Sequence, residues 1–337
     1  MKGKEKKITV ASIAQLDNNV IRVWEENFNA RVEEIFIYKK PTRESTIKFH
    51  VNCIKVAWKV LKKSDKEDNI ILWQQFIGIY YGVFTRIFHA FKNPTQCLVL
   101  TFIFMERKGL LGKMYKSFIK YAISSPSVSK LVSHSEAEVD FLKKTFPSLA
   151  NKFEFCLLGE GSSIKFNDKN KSYFFSGGSS NRDYKTLIEA FQKNKKPLMI
   201  ACKNENIEGL KFPENVKIHY NAYGENFISL ICASKAAIVL VKDNRVSSGQ
   251  LVVLNAMRCG KPIIATNGAG MINYLNPSYS ILVEPFSVRA LCEAVNKIDN
   301  DPELEREMAK NAYDHYNEFF TIEKYALRIY EILRENF

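Results

Sequence analysis

Short apolar runs recur along this chain, each followed by a stretch with helical spacing, and the alternation happens in two series. Residues 7–13, Ile70–Trp73, Cys97–Phe104 and Ser129–Ser133 read as strands. The middle two are continuously apolar, as strands buried on both faces of a parallel sheet must be. Between and after them, residues 49–63, 110–123 and Ser135–Lys144 have helical spacing, the last with a serine at its cap. A second series follows the polar run Ser163–Ser172, which reads as a linker. Its strands are expected at Tyr173–Ser176, Leu198–Ala201, Val216–Tyr220, Ala237–Val241, Pro262–Thr266 and Ser280–Val283. Its helices are expected at Asp183–Gln192, Asn226–Ala233, Gly249–Arg258, Val288–Asn296 and Pro302–Glu318, with Ile322–Glu335 closing the chain. Alternating strands and helices predict an α/β protein with two Rossmann-like domains, 1–165 and 166–320, and a final helix over 321–337. A length of 337 residues suits two such domains without disulfide or metal staples.

Charge is the compositional feature that needs explaining. Residues 1–165 carry 27 Lys/Arg against 16 Asp/Glu, a balance of +11, while residues 166–337 carry 22 against 20, a balance of +2. The excess of positive charge therefore sits in the first half, which should face something anionic. Nucleic acid is disfavoured: no RRM, helix-turn-helix or KH signature is present, and lysines are interleaved with acids. The seven cysteines have no CxxC or zinc spacing and mostly apolar neighbours, so buried free thiols in a reducing compartment are expected. The N-terminal apolar stretch is too short and polar for a signal peptide, and Ile70–Phe84 falls short of a membrane span, so cytoplasmic residence is expected. In Leu110–Ile123, Leu111, Met114, Tyr115, Phe118, Ile119 and Ala122 follow helical spacing, with Lys113, Lys116 and Lys120 on another face. That pattern suits a helix packed on its own domain or lying on an anionic membrane, which would put the protein at the inner face.

Two segments carry the chemistry. Phe-Phe-Ser-Gly-Gly-Ser-Ser-Asn-Arg-Asp-Tyr, 174–184, is a strand, a glycine-serine turn and a helix start. Gly177 and Gly178 would let the backbone approach a ligand, the helix start would offer free amides to an anion, and Arg182 would add a forked donor. In Ser-Ser-Gly-Gln-Leu-Val-Val-Leu-Asn, 247–255, Ser247 or Ser248 would cap a helix that Gly249 opens. The amides of Gly249, Gln250 and Leu251 would then face a diphosphate, with Asn255 two turns further in.

These segments, with Asn267-Gly268-Ala269-Gly270 and Asp301-Pro302…Met308-Ala309-Lys310-Asn311-Ala312, make residues 173–320 resemble the donor-binding domain of family 4 GT-B glycosyltransferases. The first 165 residues resemble the family weakly, chiefly at Leu131–Ser135. The resemblance implies two Rossmann-like domains facing across a cleft, a nucleotide-diphosphate sugar as donor, and retaining transfer to a glycan or lipid-linked acceptor without metal or other cofactor. In that family two glutamates eight positions apart contact the donor sugar and the ribose; here Ser247 and Asn255 hold those positions. Arg182 stands where the family has a phosphate-binding lysine, and Gly178 replaces the usual arginine. The resemblance thus casts Arg182 and Ser247 as the residues at the reacting donor, with Gly177, Gly178, Ser248, Gly249, Gln250, Leu251 and Asn255 binding it. The absent glutamates motivate a second reading, a non-catalytic scaffold or nucleotide-sugar-binding protein. Family members often carry an active-site histidine in the acceptor domain. His134 and His89 are the residues to consider, and His134, directly after a buried strand, reads as structural.

Overall fold

The computed structural model describes residues 7–39, 45–63, 69–88, 95–165, 172–220, 222–243 and 247–336. His89 and residues 166–171 of the expected linker lie outside the described residues. The chain divides into two compact units: Met1–Cys156 with Tyr325–Phe337, and Leu157–Lys324. The division therefore runs at 156/157 and 324/325, where the sequence reading drew it at 165/166 and 320/321.

Unit 1 holds β1 (Lys7–Ala11), α1 (Asn18–Phe28), β2 (Arg31–Ile35), α2 (Thr46–Lys63), β3 (Asn69–Leu72) and α3 (Gln75–Phe88). It continues with β4 (Cys97–Val99), α4 (Gly109–Ile123), β5 (Val128–Ser133), α5 (Glu136–Thr145) and β6 (Phe153–Phe155). Its sheet runs β2-β1-β3-β4-β5-β6, every pair parallel. Two expected strands are cut short for local reasons. β1 stops at Ala11 because the amide of Ile13 donates to Gln74 Oε1 (3.2 Å) rather than to a strand. β4 stops at Val99 because Thr101 takes a left-handed backbone (φ 59°), where no strand continues.

Unit 2 holds β7 (Phe174–Gly177), α6 (Tyr184–Asn194), β8 (Leu198–Cys202), β9 (Val216–Tyr220), α7 (Glu225–Cys232) and β10 (Ala237–Val239). Then come α8 (Gln250–Arg258), β11 (Ile263–Thr266), β12 (Ser280–Val283), α9 (Val288–Asn300) and α10 (Pro302–Phe319). Its sheet runs β12-β11-β10-β7-β8-β9, again wholly parallel. β7 and β11 are buried along their whole length, which explains their unbroken apolar sequence. Apolar clusters fill both faces of the sheet, one around Phe174, Leu187 and Ile298 and the other around Phe175, Val253 and Tyr316.

The last helix, α11 (Ile322–Asn336), contributes residues from Tyr325 onward to unit 1. Trp24, fully buried, donates its indole N–H to the carbonyl of Ala326 (2.9 Å). Tyr330 meets Phe28 edge-on, and Tyr325 meets both Trp73 and His134.

The expectation that every cysteine is a free thiol is corrected at one pair: Cys232 and Cys259 form a disulfide. They close α7 and α8, two helices that pack together and bring their ends to a Cα–Cα distance of 5.0 Å. At a sequence separation of 27, no local spacing announced the pair. Cys53, Cys97, Cys156 and Cys202 are buried thiols outside the disulfide, and Cys292 is a half-buried one.

Candidate functional site

In unit 2 the chain lays down β7, β8 and β9 in one direction and then returns to place β10 on the other side of β7. The strand order reverses between β7 and β10, and at such a reversal the loops leaving the two carboxyl ends part, opening a crevice. Both sequence segments singled out above leave from these two ends.

After β7 the chain runs Gly178, Ser179, Ser180, Asn181, Arg182. Asn181 takes a left-handed backbone (φ 57°) and clamps the opposite loop from both sides. Its side chain donates to Asp243 O (2.7 Å) and accepts from Asp243 N (2.9 Å). Arg182 and Val241 form an antiparallel bridge beside it. This folds the Arg182 side chain back beneath the turn, where only 7% of the residue remains exposed. Its guanidinium donates Nε–H to Gly177 O (2.9 Å) and Nη1–H to Ser180 O (2.6 Å) and Ser248 Oγ (2.9 Å). Ser248 in turn donates to Ser180 O (2.9 Å), so one arginine and one serine tie the β7 loop to the β10 loop.

The third nitrogen, Nη2, has no hydrogen-bond partner and Arg182 no ion pair among the described residues. Nη2 lies between two glycines: a Cβ on Gly178 (φ 104°) would meet it at 2.7 Å and one on Gly249 (φ 110°) at 3.7 Å. Burial pulls the Arg182 pKa down, since removing a cation from water favours its neutral form. A buried guanidinium without a counter-ion is costly unless an anion joins it.

Gly249 is the N-cap of α8, and no side chain caps that helix. The amides of Gly249, Gln250 and Leu251 have no partner among the described residues, so they are free donors beside Nη2 at the positive end of the helix. The expectation that Ser247 or Ser248 caps α8 is therefore corrected. Ser248 is spent on Arg182 and Ser180, and Ser247 donates its hydroxyl to Gly270 O (3.3 Å). Gln250 also donates to Gly270 O (3.1 Å), and Leu251 is half exposed. Asn255 is buried, with 7% exposed; its Nδ2 donates back to Leu251 O (2.8 Å), and its Oδ1 is buried with no hydrogen-bond partner.

Two further expectations do not hold. The start of α6 is not open to an anion, because Asp183 sits at its N-cap and accepts from Thr186 N (3.2 Å). Gly177 is small for packing rather than for ligand approach: a Cβ there would strike the Phe227 ring at 2.6 Å. Sequence reasoning also missed Tyr184, whose hydroxyl donates to Gly178 O (2.5 Å) and fixes the turn. Its signal was a tyrosine directly after a capping aspartate, an apolar position on a helix that nonetheless needs a polar partner.

His134 in unit 1 behaves as a structural residue. It is buried, its Nδ1 is 2.9 Å from Cys156 O, and burial holds its pKa down at about 4.

The sequence profile of the Glycosyl transferases group 1 family matches residues 160–315. Those residues, just under half of the chain, are similar to a glycosyltransferase group 1 domain. The loops that follow β7 and β10 lie within this stretch. No curated protein matches the chain by sequence. Among solved structures, it resembles the sucrose-phosphate synthase of Thermosynechococcus elongatus (TM-score 0.70, 14% identity, 98% of this chain and 99% of that one). It also resembles Anabaena HepE, solved with UDP and glucose (TM-score 0.66, 14% identity, 98% and 100%). A third is WaaG, a glycosyltransferase involved in lipopolysaccharide biosynthesis (TM-score 0.65, 15% identity, 97% and 99%). At these identities the likeness establishes the fold, two parallel α/β units of the GT-B type, over essentially the whole chain. Among the described residues, no group of three or more His, Cys, Asp or Glu is arranged to hold a metal.

Proposed function

We propose that this chain is a retaining glycosyltransferase that moves a sugar from a nucleotide-diphosphate sugar to a glycan or lipid-linked acceptor in cell-surface polysaccharide assembly. One observation carries the reading: among the described residues, a buried guanidinium without a counter-ion has its unpartnered Nη2 next to Gly249, where the unpaired amides of 249–251 begin. A diphosphate supplies the charge and oxygens that such a cradle lacks. Asn255 Oδ1, an acceptor awaiting a donor, suits a ribose hydroxyl. HepE, solved with UDP and glucose, supports a nucleotide-sugar donor, and WaaG supports a polysaccharide product.

In the reaction, the bond from the anomeric carbon to the diphosphate oxygen breaks and a bond to the acceptor oxygen forms on the same face. The acceptor proton passes to the departing diphosphate. Arg182 and the amides of 249–251 stabilise the charge gathering on that leaving group, the electrostatic contribution that dominates in such transfers. No metal ion is required in this scheme. Ser247 touches the sugar through a neutral hydroxyl.

A thermal-shift screen over UDP, GDP, ADP and their sugar conjugates tests the donor site. One nucleotide should raise the melting temperature in a concentration-dependent way. No shift with any of them defeats the reading. A second reading is favoured by Ser247, whose hydroxyl already engages Gly270 O and carries no charge: a protein that binds a nucleotide-sugar without transferring it. Saturable binding with neither transfer to lipid extract nor donor hydrolysis selects this alternative.

A further inference from the structure

Three consecutive helices of unit 1 lie side by side, α2 against α3 and α3 against α4. Gly82 of α3 allows the last contact to be close, since a Cβ there would strike the carbonyl of Ala122. Over their full lengths these helices carry Lys48, Lys55, Lys59, Lys62, Lys63, Arg86, Lys113, Lys116 and Lys120, and not one aspartate or glutamate. Among the described residues, acids pair with this layer from outside it: Glu33 with Lys63, and Glu106 with Lys116.

The layer is also unusually apolar at its surface. On α4, Leu110, Leu111 and Met114 are exposed to 76, 79 and 60%, and Phe118 and Tyr121 to more than 40%. Only Ile119 and Ala122 of the expected apolar face are buried, with Tyr115 half-buried. At 100° per residue the five exposed side chains form one stripe, with Lys113 and Lys120 along its edge away from the core. On α2 the exposed apolar residues Ile47, Val51 and Ile54 are spaced i, i+4, i+7, with Lys48, Lys55 and Lys62 beside them. Exposed apolar area of this kind marks an interaction surface, and lysines along its margin can extend their stems over it and place their charges at headgroup level.

We propose that the α2–α3–α4 layer is the surface by which this protein docks on an anionic lipid bilayer, with the α4 stripe entering the headgroup boundary. Charge decides the occupant. A layer whose three helices carry lysines and no acids of their own repels a second copy of itself, whereas anionic headgroups attract each lysine separately. No described helix is long and apolar enough to cross a membrane, so attachment through this layer is peripheral. The inference rests on the proposed reading of a lipid-linked acceptor for its purpose, but not for its physics.

Flotation of the intact protein with vesicles tests it. Vesicles of phosphatidylcholine with phosphatidylglycerol should retain the protein, vesicles of phosphatidylcholine alone should not, and added salt should release it. Lys113→Glu with Lys120→Glu should weaken retention about tenfold or more, and Leu111→Ser with Met114→Ser should weaken it comparably at low salt. All four side chains are exposed, so melting curves and any UDP-induced shift should be unchanged in both variants. Three results overturn the proposal: equal retention by neutral and anionic vesicles, variants that float like the parent, or a dimer by light scattering that Leu111→Ser dissolves without affecting flotation. Stronger retention on RNA than on vesicles would do the same. A protein that floats yet shows no nucleotide shift leaves the docking surface standing and defeats the donor reading instead.

Discussion

Each unit of this molecule has a point where its strand order reverses, and the two have been treated differently. In unit 1 the reversal lies between β1 and β3, and the chain fills it with its own side chains. Gln74 accepts from Ile13 N and donates to Ser12 Oγ (3.2 Å each), Gln75 accepts from Ile103 N (2.9 Å), and Trp73 packs against Trp24 and Tyr325. In unit 2 the reversal lies between β7 and β10. There the turns carry Gly178 and Gly249 and, among the described residues, a guanidinium without a counter-ion and amides without acceptors. Topology supplies a crevice in both sheets; residue type decides whether it is satisfied from within or left for a ligand. A structural glutamine can close both of its hydrogen-bonding ends within the fold, here on a backbone amide and a serine hydroxyl. An arginine has only donors, so its last one waits for an anion.

The contrast can be broken first at Arg182. Arg182→Ala strips the buried carbonyl of Gly177, the part-buried carbonyl of Ser180 and the hydroxyl of Ser248 of a charged donor, which should cost about 4 kcal/mol by denaturant unfolding. Arg182→Lys, which keeps charge but not the fork, should recover part of the stability and little nucleotide binding. Gly249→Ala comes next. Its φ of 110° and the 2.6 Å approach of a Cβ to Val239 Cγ1 should cost about 3 kcal/mol and reduce nucleotide affinity at least tenfold. Acid should act on the other unit. His134 is held at about 4 when folded against an unfolded value near 6.5, so the unfolded chain binds more protons between these values. Stability should therefore fall as pH drops from about 6.5 toward 4, by up to about 3 kcal/mol. His134→Gln should flatten that slope without altering nucleotide affinity at neutral pH. Gln74→Ala should cost about 1.5 kcal/mol and leave nucleotide affinity unchanged, the opposite pattern to Gly249→Ala. If it abolished binding, the two reversals would not be functionally distinct. Asn255→Ala should have the smallest effect, a few-fold loss of nucleotide affinity by calorimetric titration, with stability within about 1 kcal/mol.

Both sheets were legible where strands are buried on both faces, because burial writes an unbroken apolar run. β2 and β6 were missed, and they are the two edges of the unit 1 sheet. β2 carries Arg31, Glu33 and Glu34, and β6 is three residues long, so neither has the apolar signature of a central strand. α1 lay hidden for a related reason, since its helical face buries only Val20, Val23 and Trp24. At the site, glycines, serines and the arginine were readable as a group because each is unusual at the end of a buried strand. Their partnerships were not. Arg182 and Ser248 are 66 positions apart, and only the folded sheet brings them to 2.9 Å. A separation of 27 positions concealed the Cys232–Cys259 bond in the same way. The capping role of Asp183 was local and could have been inferred: an aspartate ahead of a helical run closes a helix start more often than it leaves it open.

The return of α11 to unit 1 bears on how the protein is made. Residues 157–324 are continuous, so unit 2 is built from one stretch of chain and waits for no later residue. Unit 1 is begun first but has to wait: the indole of Trp24 lacks its carbonyl partner until Ala326 has emerged, some 300 residues later. Until then the ribosome carries a half-covered hydrophobic surface, and the earliest part of the chain is the last to mature.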